Sequence, residues 1–206
     1  MELRIEQDTD ATSPRDWDNT GIMVCWHSRY NLGDEQPNGD ASTYRMNLAL
    51  EACPRLGDIY DQWYDVGYNR LYDKYECHQT TQQVIEDHIE SLVEAVLEKH
   101  YVILPLYLYD HSGITMNTSG FSCGWDSGQV GFIYAPLEDD DDIEQVESNL
   151  RSEVQTYDQF LTGDVWGYVI EDEDGEHVDS CWGFFGYDYC EQEGKVALEY
   201  TGKMVA

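Results

Sequence analysis

The sequence predicts an α+β fold: a mostly antiparallel sheet with two to four helices packed on one face, built as a single acidic domain over residues 1–206. Helical and strand periodicities occur in mixed order along the chain, and a turn signal joins two of the strand patterns as a hairpin. The composition is 41% hydrophobic and includes sixteen Tyr, six Trp and five Phe. Such a chain has enough apolar surface for a core, and it is too rich in aromatic residues for an acidic disordered chain.

The first part of the chain contains two strand patterns and a long loop. Residues 1–8 alternate apolar and polar side chains, which predicts a short edge strand, and residues 21–27 form an apolar run that predicts a buried strand. Residues 31–40 are dense in turn-forming residues. An irregular stretch of that length inside a compact domain is more often functional than idle.

Helical patterns follow. Residues 44–50 and 58–73 have roughly helical apolar spacing, although Gly67 weakens the second segment. Residues 81–100 give the strongest helix signal, because apolar residues recur at i, i+3 and i+4 and carboxylates occupy the opposite side. Thr80 or Thr81 is the expected N-terminal cap of this helix.

The second half of the chain predicts four more strands and a helix. Residues 101–109 and 129–134 are rich in β-branched and aromatic residues, and Pro105 indicates an edge or a bulge in the first of these strands. The acidic residues Asp139, Asp140, Asp141 and Asp142 are expected to begin a helix that reaches about residue 161, where they favour the positive end of its dipole. Residues 165–170 and 177–184 flank an Asp-Gly turn and predict a β-hairpin.

The loop over residues 110–128 holds the densest cluster of reactive side chains. His111 is a candidate base, Ser112 and Cys123 are candidate nucleophiles, and Asp126 could orient the imidazole, as a small hydrolase or a ligand-binding site requires. Trp17, Asp18, His27 and Arg29 would join that site if the fold brings them near it. The loop lacks a Gly-x-Ser-x-Gly elbow, and a tight loop uses the same residue types to bond its own backbone, so the sequence favours a non-catalytic protein.

Metal and cofactor sites are not predicted. Cys25 with His27, and Cys77 with His78, offer zinc-ligand types without paired Cys-x-x-Cys spacing. The acidic segment at residues 172–176 lacks the twelve-residue frame of a calcium loop. The six cysteines are scattered through a long chain, which favours free thiols over disulfides.

The charge balance restricts the possible partners. The chain has 42 acidic and 11 basic residues and a formal net charge of -31, so it should repel nucleic acid and anionic membranes. No apolar run approaches the roughly 18 residues of a membrane span, and residues 1–6 lack a signal-peptide pattern, so we expect a cytoplasmic protein. The expected partners are basic surfaces or cations, unless the chain works in a very salty solvent.

Four segments resemble a family of small proteins carried by bacteriophages, plasmids and other mobile elements: PRDWDN at residues 14–19, MVCWHSRYNLGD at 23–34, HSGI at 111–114 and WDSGQVGFIY at 125–134. The resemblance implies a genomic setting and supplies no catalytic residues. In composition the chain is also similar to DNA-mimic inhibitors of restriction enzymes, CRISPR effectors and other DNA-binding proteins. That similarity implies an inhibitor that presents carboxylates where its target expects phosphates.

The magnitudes permit mimicry of DNA. The net charge of -31 equals the charge of about 50 Å of duplex, close to the breadth of about 43 Å expected for a compact chain of this length. The carboxylates expected to contribute are Glu86, Glu90, Glu94, Asp139, Asp140, Asp141, Asp142, Glu171, Asp172, Glu173 and Asp174. Adaptation to a high-salt cytoplasm is an alternative explanation, because a Debye length of about 3 Å at ~1 M salt removes the self-repulsion. In that case the charge would carry no information about partners.

Overall fold

Helices and antiparallel strands follow each other in mixed order, which confirms the α+β class. The computed structural model describes residues 1–75 and 77–205, with side chains as far as residue 202. The strands are β1 Glu2–Gln7, β2 Ile22–Cys25, β3 Tyr101–Asp110, β4 Ile114–Asn117, β5 Ser127–Pro136, β6 Val165–Glu171 and β7 His177–Phe185. The helices are α1 Ala41–Ala52, α2 Arg55–Gln62, α3 Tyr68–Tyr75, α4 His78–His100, α5 Ile143–Thr162 and α6 Tyr187–Val205.

The strands divide between two sheets, a separation that the sequence does not predict. One sheet has the order β1-β6-β7, so β1 is an edge strand as expected. Strand β1 pairs antiparallel with β6 in a register that runs from Glu2 opposite Glu171 to Gln7 opposite Trp166. Strands β6 and β7 form the predicted hairpin, and Gly175 lies in its turn with φ +80°.

The other sheet has the order β2-β5-β3-β4. The predicted strand β3 forms and buries alternate residues. It lies between β5 and β4, so the edge position suggested by Pro105 is wrong for the strand as a whole, and Pro105 precedes the segment Tyr107–Asp110 that pairs with β4. Strand β5 approaches β2 very closely, because a Cβ added to Gly131 would lie 1.9 Å from the carbonyl oxygen of Val24. Strand β4 lies inside the stretch that the sequence assigns to a loop.

Helix α4 confirms the strongest helical prediction and corrects its cap. It buries one residue in four along the stripe Thr81, Ile85, Ile89, Val93 and Leu97. The helix begins at His78, so Thr81 lies within it, and its hydroxyl donates to the carbonyl of Cys77 at 2.9 Å. The predicted cap at Thr80 or Thr81 is therefore wrong, because the chain turns helical before it reaches either residue.

The segment expected as one helix over residues 58–73 is divided into three parts. Helix α2 leads into a π-helical turn at Trp63–Gly67, and α3 follows it. A Cβ added to Gly67 would lie 2.9 Å from the indole ring of Trp63, so the small residue allows this ring to pack against the backbone. The wider turn occurs at the glycine that weakens the helical pattern.

Helix α5 begins directly after the acidic run. Asp142 accepts hydrogen bonds from the backbone N–H groups of Glu144 at 3.1 Å and Gln145 at 3.4 Å, which is the role of a capping residue. Asp141 accepts from the N–H of Glu138 at 2.8 Å. Asp142 therefore caps the helix, and Asp141 closes the turn that precedes it.

The chain forms two compact units. The first unit comprises residues 1–20, 106–130 and 151–206, and the second comprises residues 21–105 and 131–150. The core of the first unit centres on Tyr168, Ile170 and Cys190 between the β1-β6-β7 sheet and α6. The core of the second unit contains the buried stripe of α4 with residues of α1, β2 and β5. Within the described residues, no helix has both the length and the apolar character needed to cross a membrane.

Candidate functional site

The turn between β3 and β4 and the segment before β5 bring three of the predicted reactive residues together in the first unit. His111 Nδ1 lies 3.2 Å from Asp126 Oδ2, and the thiol of Cys123 donates to the same oxygen at 4.0 Å. The N–H of Asp110 donates to the carbonyl of Asp126 at 2.8 Å, which holds the two segments side by side. Ser112 sits at the tip of the turn with φ +60°.

This arrangement does not activate a nucleophile. Cysteine catalysis needs an imidazole that takes the thiol proton, yet His111 and Cys123 both contact the carboxylate of Asp126. No hydrogen bond joins Ser112 to the other three side chains among the residues that the structure describes. The His111 side chain is 63% exposed, so the group is an open surface loop rather than a closed site.

The other residues named for a ligand site belong to different units. Trp17 and Asp18 lie in the first unit, whereas His27 and Arg29 lie in the second. His27 Nδ1 accepts from the backbone N–H groups of Arg29 at 3.3 Å and Tyr30 at 3.2 Å. The imidazole therefore closes the turn that follows β2.

The two Cys and His pairs considered as zinc ligands, Cys25 with His27 and Cys77 with His78, include residues that have roles in the fold. Cys25 is buried in the core of the second unit, and the ring of His78 accepts or donates a close hydrogen bond with the hydroxyl of Tyr68. Over residues 1–75 and 77–205, no group of three or more His, Cys, Asp or Glu side chains is arranged to hold a metal ion.

The loop over residues 31–40 packs onto β2 instead of projecting from it. Asp34 Oδ2 accepts from the N–H of Met23 at 2.7 Å, and Leu32 is 1% exposed. Gly33 has φ +67°, and a Cβ there would lie 2.8 Å from the carbonyl oxygen of Met23. Gly33 and Asp34 of this loop thus allow its backbone to lie close to the backbone of β2.

Helix α4 presents acidic side chains along one side of a groove. Glu86, Glu90 and Glu94 line a depression of about 470 Å³. Arg45 of α1, Tyr60 of α2 and Tyr64 of the π-helical turn line it as well. Glu94 forms a two-pronged ion pair with Arg45, in which Nε donates to Oε1 at 3.3 Å and Nη2 to Oε2. The charge of Glu94 is therefore compensated within the unit, whereas Glu86 and Glu90 are exposed.

The remaining predicted acidic segments also divide into structural and exposed carboxylates. In the hairpin, Glu171 pairs with Arg4 at 2.5 Å. Asp172 Oδ1 accepts the N–H groups of Asp174 and Glu176, each at 2.9 Å. Asp142 caps α5 and Asp141 bonds the turn before it. The other exposed carboxylates of the predicted set are Glu86, Glu90, Asp139, Asp140, Glu173 and Asp174.

The sequence patterns do not predict an aromatic cleft that the first unit contains. It combines Trp17, which follows the 3-10 turn Pro14–Asp16, with Trp182 and Phe185 of β7. Gly167 in the middle of β6 is the signal that could have indicated it, because a glycine inside a strand often marks the close approach of another group.

Compared with known proteins, the chain matches no protein-family model, no curated protein and no solved structure.

Proposed function

We propose that this chain is an inhibitor from a mobile element that occupies the nucleic-acid-binding surface of a basic host protein, such as a restriction or CRISPR effector. The observation that supports the proposal is a large excess of carboxylates. Several of them are exposed on turns whose backbone is held by hydrogen bonds. The proposed mode of action is exclusion: carboxylates occupy the positions that phosphates would take, and nucleic acid cannot bind at the same time.

The charge excess is larger than internal pairing can remove. The chain has 42 acidic and 11 basic residues, so at least 31 carboxylates stay uncompensated even if every Lys and Arg pairs with one. Several basic residues are in fact used internally, as in the pairs of Arg15 with Glu153 and Arg45 with Glu94. The surface therefore attracts basic proteins over a Debye length of about 8 Å at physiological salt and raises their association rate.

The exposed carboxylates are held in defined positions. Asp139 and Asp140 precede two aspartates that hydrogen-bond to the backbone, and Glu173 and Asp174 lie in a turn fixed by Asp172. Such pre-organisation lowers the entropy that a partner must remove on binding. A flexible acidic tail would lack this advantage.

The carboxylates of helix α4 alone are spaced too widely to replace the phosphates of a DNA strand. Residues four apart, such as Glu86 and Glu90, rise by about 6 Å along a helix axis, whereas phosphates follow each other by about 3.4 Å along the axis of duplex DNA. The pairing of Glu94 with Arg45 interrupts the row further. The proposed contact therefore uses α4 together with other acidic segments.

The test uses proteins of a bacterial lysate bound to immobilised duplex DNA at ~0.15 M salt. The bound proteins are eluted with this chain or with polyglutamate of equal total charge, and the eluates are identified by mass spectrometry. The proposal expects the folded chain to release one nuclease or DNA-binding complex that polyglutamate leaves in place. Release of the same set by both, or of nothing by the chain, contradicts it.

A matched pair of variants then locates the contact. Asp139→Asn/Asp140→Asn removes two charges from an exposed segment and leaves the capping residues intact, while Glu2→Gln/Glu199→Gln removes two exposed charges elsewhere. The first variant should require several-fold more protein for the same release, and the second should behave like the parent chain. Equal losses would show that only the total charge matters.

A further inference from the structure

The aromatic cleft of the first unit has a volume of about 260 Å³. It opens between the segment after β1 and strand β7, and it combines three aromatic rings with two carboxylates. Its lining includes Asp8, Asp10, Trp17, Trp182, Gly183 and Phe185.

The rings of the cleft are fixed by packing although they face solvent. Trp17 contacts Phe185 edge to face, with ring centroids 5.3 Å apart at 89°. Trp182 lies across Gly167 of the neighbouring strand, because a Cβ there would come within 2.2 Å of the indole. Trp17 remains 51% exposed and Trp182 45% exposed, so each leaves about half of its surface for a ligand.

A β-bulge sets the position of Trp182. The pairing of β6 with β7 shifts between Trp166, opposite Phe184, and Tyr168, opposite Cys181. Gly167 therefore faces two residues of β7, and Gly183 has φ +84°. Bulges re-aim side chains, and here the shift directs the indole of Trp182 over the glycine.

The acidic side of the cleft is ordered by the backbone. The N–H of Asp8 donates to the carbonyl of Val165 at 2.8 Å, which extends the β1–β6 pairing by one residue. Asp8 Oδ1 accepts from the N–H of Asp10 at 3.1 Å. The Asp8 carboxylate is thereby held at the edge of the cleft, and the exposed Asp10 lines the same cleft.

We propose that this cleft binds the side chain of an arginine presented by a protein partner. Indole faces attract cations, and a planar guanidinium stacks on an aromatic ring while its N–H groups donate to a carboxylate. The carboxylates of Asp8 and Asp10 supply the complementary charge, and the net charge of -31 disfavours an anionic occupant. A lysine ammonium is more strongly hydrated and cannot stack, so arginine fits this chemistry better.

The identity of the partner rests on the proposed function, whereas the recognition of arginine does not. An arginine that anchors in the cleft would explain how a surface dominated by non-directional charge selects one basic protein. Buried aromatic and arginine pairs contribute most of the energy of many interfaces, while exposed charges at the rim act mainly on the association rate.

The test follows the tryptophan indole N–H signals of the ¹⁵N-labelled chain by NMR while a short peptide, acetyl-Gly-Arg-Gly-amide, is titrated in. The same peptide with citrulline, a neutral analogue of arginine, and the same peptide with lysine serve as competitors. The proposal expects saturable shifts of Trp17 and Trp182, with citrulline binding about tenfold or more weakly. Equal binding of the arginine and citrulline peptides, or shifts at other tryptophans only, overturns it.

Two variants separate the cleft from general electrostatics. Asp10→Asn keeps the size of the side chain and should weaken arginine binding several-fold, whereas Glu199→Gln, which removes one charge from the exposed face of α6, should not. Trp182→Ala should abolish the shifts, and Trp125→Ala, at a residue 97% exposed, should leave them unchanged. Equal effects of the two charge variants overturn the proposal. Peptide binding without any release of DNA-bound proteins would support the cleft and contradict the proposed function.

Discussion

Arg15 donates from Nη1 to Glu153 Oε2 across 2.9 Å, and only 5% and 15% of the two side chains are exposed. The second oxygen of Glu153 accepts the N–H of Thr20 at 2.8 Å. This buried ion pair joins the segment after β1 to helix α5 within the first unit. It uses one of only 11 basic residues in the chain for structure.

Removal of the Arg15 charge should destabilise the protein strongly. Arg15→Met leaves the carboxylate of Glu153 buried without its cation, which costs about 3–5 kcal/mol for a buried pair. Arg4→Met is the matched control, since it also removes one positive charge but breaks an exposed pair with Glu171, worth about 0–1 kcal/mol. Urea unfolding of the two variants measures the difference. Equal losses of stability would show that the Arg15–Glu153 pair stabilises the fold no more than the Arg4–Glu171 pair does.

The contact between β2 and β5 should tolerate no side chain at Gly131. Gly131→Ala would place a methyl group 1.9 Å from the carbonyl of Val24, so the strands must separate. Overpacking of this kind costs typically about 1–3 kcal/mol, and more where backbone must move. Gly128→Ala lies in the same strand, has open space around the new Cβ, and should change stability by less than about 0.5 kcal/mol. Thermal unfolding followed by circular dichroism compares the two variants. Similar unfolding midpoints would contradict the close contact between β2 and β5 at Gly131.

The protein should lose stability at alkaline pH through the partly buried Tyr44 and the buried Tyr134. Burial is the largest cause that raises the pKa of Tyr44 and of Tyr134 above the ordinary value of 10.0, and the Tyr44 hydroxyl also donates to Glu35 at 2.9 Å. Because the pKa is higher in the folded state than in the unfolded state, each of these tyrosines contributes its full stabilisation below pH 10. This contribution is lost as the pH rises above 10.

Tyrosinate absorbance during a pH titration measures this behaviour. Tyr44 and Tyr134, whose pKa values are raised in the folded state, should ionise only as the protein unfolds. Tyr44→Phe should make the alkaline loss of unfolding free energy less steep, while Tyr200→Phe, at a residue 66% exposed, should not change it. Ionisation of all tyrosines in one step before unfolding would contradict the prediction.

The loop of His111 should be dispensable for activity. His111→Ala/Asp126→Ala removes a pair that joins two exposed segments, and exposed pairs contribute little to stability. The double variant should release DNA-bound proteins as well as the parent chain does in the elution assay. Complete loss of that activity in a folded variant would instead favour a site that uses this loop.

Salt should stabilise the fold without being essential for it. Self-repulsion of the carboxylates is screened as the Debye length falls from about 30 Å at ~0.01 M to about 8 Å at ~0.15 M salt. Unfolding free energy should rise over this range and then level off. A chain that folds only in molar potassium chloride would favour salt adaptation as the origin of the charge and would contradict a function at physiological salt.

Local patterns predict much of this fold. The apolar repeat of α4 and the Asp-Gly turn of the β6–β7 hairpin are determined by residues close in sequence, and both are confirmed. Strand β4 has only four residues, too few for a clear alternation. Helix α6 is missed because it contains Gly194, where a Cβ would approach Leu3 within 2.9 Å, so a glycine that lowers helical propensity is the one that lets the helix pack on the sheet.

The sequence does not show which of the predicted acidic residues form ion pairs within the fold, because their partners are distant along the chain. The sequence does not show that Arg45 compensates Glu94 or that Arg4 compensates Glu171. It also does not show that Trp17 and Trp182 line one cleft. Such relationships arise from long-range packing, and periodicity carries no information about them.

Mutual exclusion of this protein and DNA on one target is the most direct test of the central claim. The protein released in the elution assay is purified and bound to fluorescent duplex DNA at ~0.15 M salt, and this chain is titrated in while anisotropy is recorded. We expect complete displacement of the DNA, with an apparent affinity of this chain for the target that falls as the DNA concentration rises. A ternary complex, in which DNA stays bound while this chain saturates the target, would contradict it.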